Sequence, residues 1–156
     1  FEGVEVWKDS QARYNITVAL MTLPHTDTKT IYNVSKPMFP PQEWALIYYD
    51  DVAMLYVRRV DELKDVIERY EYSILDPQSL DLTYLQEHIQ SQEEFDAALQ
   101  ELQKGLALNP ESFRLHFTLA YVYSLAGIEE QMIAELEKTL EINPYFAPAK
   151  NILDQL

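Results

Sequence analysis

The chain has no cysteine, three glycines and only twelve lysine and arginine residues against twenty-six acids in 156 positions. Without cysteine there is no disulfide framework, no thiol nucleophile and no Cys-based zinc site. The scarcity of glycine, with no GxGxxG and no GxxxxGK[ST] anywhere, argues against Gly-rich phosphate loops. No run of 18 apolar residues occurs, so the sequence contains no membrane-spanning helix. Phe1 stands where a methionine or leader would begin, and the sequence reads as a fragment or processed product. Charged residues at 24% and apolar ones at 47% are the balance of a globular chain with a real core.

The net charge of −14 is uneven. Residues 1–60 carry seven acids and six bases, residues 61–80 six and two, and residues 81–156 thirteen and four. The last segment, at −9, is a poor surface for nucleic acid or anionic lipid, which require clustered cations. Its acids read mainly as solvated helix faces, and a basic or neutral-polar protein partner suits them better.

The first sixty residues change period repeatedly. A short helix is predicted over Glu5–Tyr14, a strand over Ile16–Thr22 and a second short helix over Lys29–Lys36, stopped by Pro37. Strands follow at Trp44–Tyr49 and Val52–Val57. Three strands make a thin sheet, and a further strand is expected from sequence before Phe1. From Val60 the pattern is helical. Val60, Leu63, Val66, Ile67, Tyr70 and Ile74 share one face, with Asp61 as N-cap and Pro77 as terminator. The expected fold class is α+β. A small three-stranded unit (1–59) is followed by a bridging helix (60–78) and an all-helical array of about two repeats and a closing helix (79–156).

Asp50 and Asp51 are the most conspicuous candidates for chemistry. Adjacent carboxylates beside Tyr48 and Tyr49 suit metal-dependent work, but equally the bend of a hairpin. Six strand-forming residues on either side favour the bend, with a longer loop borrowing Tyr49 and Val52 as the alternative. Trp44, Tyr48, Tyr49 and Tyr56 read as core and cross-strand contacts rather than a sugar platform. His25, His88 and His116 share no HxxxH or HExxH spacing, and no GxSxG elbow occurs. The expectation is a chain without catalytic residues, cofactor or metal.

The helical part repeats itself. "FDAALQELQKGLALNP" and "EEQMIAELEKTLEINP" end at Pro110 and Pro144, 34 residues apart. That period in a helical region resembles the tetratricopeptide repeat. In Glu111–Pro144, Leu119, Ala120, Tyr123, Gly127, Leu136, Leu140, Ile142 and Pro144 match its pattern, while Met132 and Thr139 replace two of its small residues. In the preceding repeat Phe95, Ala98, Leu102, Leu106, Leu108 and Pro110 match. Its first helix matches only through Leu82, Leu85 and Ile89, with Gln86 at the small-residue position. The resemblance implies a protein–protein interaction module with a partner-binding groove at Arg114, Phe117, Tyr121, Ser124 and Leu125. The alternative is that these residues pack against the rest of the chain.

Residues 1–75 are similar to the soluble C-terminal region of bacterial multi-pass membrane proteins of the glycosyltransferase type. "WKDSQARYNITVALM" and "PPQEWALIYYDDVAMLYVRR" carry that likeness. It implies an extracytoplasmic tail tethered to a bacterial membrane, with the catalytic acids of such enzymes elsewhere. An accessory domain contacting donor or acceptor saccharide, and a cytoplasmic scaffold, are the alternatives.

Overall fold

A computed structural model describes residues 2–23, 35–77 and 82–156. The fold is α+β, in two compact units that divide between Ser73 and Ile74.

In the first unit, helix α1 (Glu2–Tyr14) leads into strand β1 (Val18–Thr22). The strand starts later than its apolar run because Asn15 adopts a left-handed φ of +48° and Ile16 donates its N–H to Gln11 O. Asn tolerates that conformation better than other side chains do. A short helix α2 (Ser35–Met38) follows and contains Pro37, so the proline does not stop it; the rest of the helix expected over 29–36 lies outside the described residues. Strands β2 (Trp44–Tyr49) and β3 (Ala53–Arg58) complete an antiparallel sheet of order β1-β3-β2.

Alternation alone would place Tyr49 opposite Trp44 and Leu46. A bulge between Leu46 and Tyr48 resets the register, so Leu46 faces Tyr56 and Tyr49 faces Met54. One extra residue thus turns Tyr49 into the same buried face as Trp44, Leu46, Met54 and Tyr56. That face is closed by aromatic rings from outside the sheet. Phe39 stacks on Tyr56 at 4.4 Å and meets Trp44 edge-on at 5.2 Å, and Trp7 of α1 contacts both Phe39 and Trp44. Trp7 Nε1 donates to Met38 O at 2.9 Å, which satisfies its polar end.

The opposite face, Ala45 and Val57, packs against Ile67 of helix α3 (Lys64–Tyr70). Asp61 opens a 3-10 turn (Asp61–Leu63) ahead of α3 rather than capping it. The helix ends at Tyr70, short of Ile74, because the chain turns back to the sheet. Tyr72 donates its N–H to Leu46 O at 2.8 Å and its ring packs on Tyr49. Arg59 ties the same stretch down by donating to Glu71 and to Pro41 O. The helix read from the sequence as a bridge therefore belongs to the first unit.

The second unit contains α4 (Leu82–His88), α5 (Gln92–Leu108), α6 (Phe113–Leu125), α7 (Glu129–Ile142) and α8 (Ala147–Leu153). Ser91 opens α5 with a reciprocal capping box. Its hydroxyl accepts from Glu94 N, and the Glu94 carboxylate accepts from Ser91 N. Ser112 caps α6 by accepting from Leu115 N. Between α6 and α7, Gly127 takes φ +67°, its N–H reaches Ser124 O and the next N–H, of Ile128, reaches Tyr123 O. This is the Schellman ending that a glycine makes cheaply.

The turns after α5 and α7 repeat one another bond for bond. Asn109 N–H reaches Gly105 O and Ser112 N–H reaches Asn109 O; Asn143 N–H reaches Thr139 O and Phe146 N–H reaches Asn143 O. Each residue of the second set stands 34 positions after its counterpart. The core repeats likewise, with Leu102 and Leu136 both fully buried. Thr139 is tolerated in that core because its hydroxyl donates to Glu135 O, one turn back.

Candidate functional site

Helix α6 carries the five residues expected to line a groove. The structure separates them. Phe117 is only 7% exposed and sits in the core formed by α6, α7 and α8, with Ala120, Met132, Leu136, Phe146 and Ala149. Its ring meets Phe146 edge-on at 4.8 Å. The stripe is covered there by Phe146, from the segment after Pro144. Tyr121 packs partly against the same core, its ring 4.6 Å from that of Phe117. Arg114, Tyr121, Ser124 and Leu125 remain half-buried, and the Arg114 guanidinium lies 5.5 Å from the Phe113 ring. Of the five expected groove residues, the four that are not fully buried form a short strip, polar at its Arg114 end, beside a closed aromatic core.

Asp50 is the bend of the hairpin. One carboxylate oxygen accepts from Val52 N and Ala53 N, each at 2.8 Å, and the other accepts from the Tyr48 hydroxyl at 2.7 Å. Burial by itself would push its pKa up, but these three hydrogen bonds outweigh it and hold the carboxyl below the usual aspartate value. Val52 belongs to the loop rather than to β3, and Tyr49 stays in β2. Among the described residues no group of three or more His, Cys, Asp or Glu side chains is placed to hold a metal ion. Nor is any described helix long and apolar enough to cross a membrane.

The histidines do not converge. His25 lies outside the described residues. His88, in the last turn of α4, stacks on Tyr84 at 3.9 Å with Nδ1 2.8 Å from Tyr84 O. His116 Nδ1 lies 2.6 Å from Glu135 Oε2, and its Nε2 lies 3.0 Å from Pro110 O. Both ring nitrogens of His116 are thus within hydrogen-bond distance of protein oxygens.

The polar groups that organise the helical unit were missed in the sequence. Glu101, 4% exposed on α5, accepts from Ile74 N and Leu75 N at 3.0 Å each. Tyr84 donates to Ile74 O at 3.1 Å, and burial first, then the charges of Asp76 and Glu101, pushes its hydroxyl pKa up to about 12. Glu135 stands 34 residues after Glu101, so both repeats carry a carboxylate at one position. That coincidence of spacing was the available signal.

Comparison with known proteins returns no matching family model, no matching curated protein and no matching solved structure.

Proposed function

We propose that the second unit is a non-catalytic, tetratricopeptide-like protein-interaction module whose binding strip runs along α6 through Arg114, Tyr121, Ser124 and Leu125. The observation that carries this reading is the bond-for-bond repetition of the two Asn-Pro turns 34 residues apart, which supports a helical-repeat architecture. Such arrays bind extended or helical segments through partly exposed side chains spaced along one helix face. Phe117 is withdrawn from that role because it is buried with Phe146, the residue just before α8, edge-on against its ring. It serves as a rigid backing for Tyr121.

The test is a photo-crosslinking amino acid placed at Tyr121 or Leu125 in the protein within its native cells, with Glu137, exposed on α7, as control. A discrete protein adduct at the two α6 positions and none at Glu137 is the expected result. Equal labelling at all three, or none, would end this reading.

The likeness of residues 1–75 to tails of membrane glycosyltransferase-type proteins extends the proposal: the module is displayed outside the cytoplasm on such a protein. Sequence upstream of Phe1 in the parent gene tests it. Several apolar spans are expected, and a continuous soluble domain there would refute the extension.

A further inference from the structure

His116 bridges three parts of the helical unit. It sits on α6, its Nδ1 faces the Glu135 carboxylate of α7, and its Nε2 faces the Pro110 carbonyl of the turn between α5 and α6. Carboxylate and carbonyl oxygens only accept hydrogen bonds. Both contacts are satisfied at once only when both ring nitrogens carry protons. A neutral ring keeps one N–H and turns a lone pair toward the other oxygen, at 2.6 or 3.0 Å.

We propose that His116 is a proton-dependent latch that, as the imidazolium, fastens α7 to the α5–α6 turn and releases it on deprotonation. The equivalent position one repeat earlier supports this by contrast. Glu101 makes its tie to the backbone amides of Ile74 and Leu75, which do not titrate in the physiological range. Of the two structurally equivalent carboxylates, one is therefore fixed and the other switchable.

The charges around the ring agree. The hydrogen bond to Glu135 is foremost in raising the His116 pKa; burial opposes it, Pro110 O and the Glu135 charge add to it, and Lys138 of α7 works against it. Among the described residues, Glu135 and Lys138 are the charged groups that act on the ring; Lys138 is itself paired with Glu141 and influenced by Glu111. The folded value lies above the ordinary 6.5. Stability from the latch is thus complete below about pH 6.5 and disappears as pH rises through the folded value.

The experiment is a proton-NMR titration of the histidine ring signals in the whole chain, paired with urea unfolding at 222 nm from pH 6 to pH 9. The His116 signal, identified by its loss in His116→Gln, is expected to titrate above 6.5 and to move back toward 6.5 in Glu135→Gln. The urea midpoint of the native chain should fall over this range relative to that of His116→Gln. If His116→Gln does not fold, the His116 signal is the one retained in both His25→Gln and His88→Gln, and its titration in the native chain and in Glu135→Gln decides the question. A His116 midpoint at or below 6.5, or parallel midpoint curves for the native and His116→Gln chains, would overturn the proposal.

Discussion

Replacing Glu101 by alanine should unfold the helical unit far more readily than its position on a helix flank would suggest. The carboxylate is almost fully buried and accepts the N–H groups of Ile74 and Leu75. Leu75 is itself buried, so its amide has no water to turn to. A hydrogen bond to a charged group contributes about 1.5–3 kcal/mol, and a buried donor left without an acceptor costs about 1–3 kcal/mol. The two overlap, so we expect a loss of about 3 kcal/mol for Glu101→Ala. Glu101→Gln keeps one carbonyl oxygen and should lose about half as much. With a urea m-value of about 1–2 kcal/mol/M for a unit of this size, the alanine midpoint falls by roughly 1.5–3 M.

Circular dichroism at 222 nm follows mainly the second unit, which holds most of the described helix, with α1, α2 and α3 of the first unit adding a smaller share. Both tryptophans, Trp7 and Trp44, lie in the first unit, so their fluorescence reports that unit within the same sample. An alanine variant whose 222 nm midpoint equals that of the native chain would refute the assignment of Glu101 as the anchor of residues 74–75.

Phe117→Ala should cost about 3–5 kcal/mol, as for a buried aromatic, measured by the same 222 nm transition; a surface groove residue would change it by less than about 0.5 kcal/mol. Asp50→Ala should lower the stability of the first unit by about 1–2 kcal/mol, in the range of a lost side-chain cap, read by tryptophan fluorescence. Because the Asp50 pKa is held below its ordinary value of 3.8, its contribution is present above that pH and disappears as pH falls through the lower folded value. Gly127→Ala, which forces a side chain to φ +67°, should cost about 1 kcal/mol although space is open around it.

The helical unit was legible because its period survives in single residues: Leu102 and Leu136, Pro110 and Pro144, and Gly127 at the turn. The hairpin was legible because two strand-forming runs flank a pair of aspartates. The bulge at Ile47 was not, since alternation from Trp44 gives no sign that one residue will be skipped, and the skip is what buries Tyr49. Phe117 shows the same limit on a helix. Periodicity places it on a stripe with Tyr121, but what covers the stripe is decided by Phe146 and Ala149, which arrive from beyond the next turn. The end of α3 was missed because a tertiary bond, Tyr72 N–H to Leu46 O, overrode a helical pattern that runs on to Ile74.

The proposed function has the strip on α6 bind a protein partner. It is tested most directly by the dissociation constant between the full chain and the protein captured at Tyr121, measured for the native sequence, Tyr121→Ala and Glu137→Ala. Loss of a half-buried aromatic anchor should weaken binding at least tenfold, the effect of about 1.4 kcal/mol, with Glu137→Ala unchanged. A Tyr121→Ala chain that keeps its 222 nm transition and binds as tightly as the native one would contradict the account.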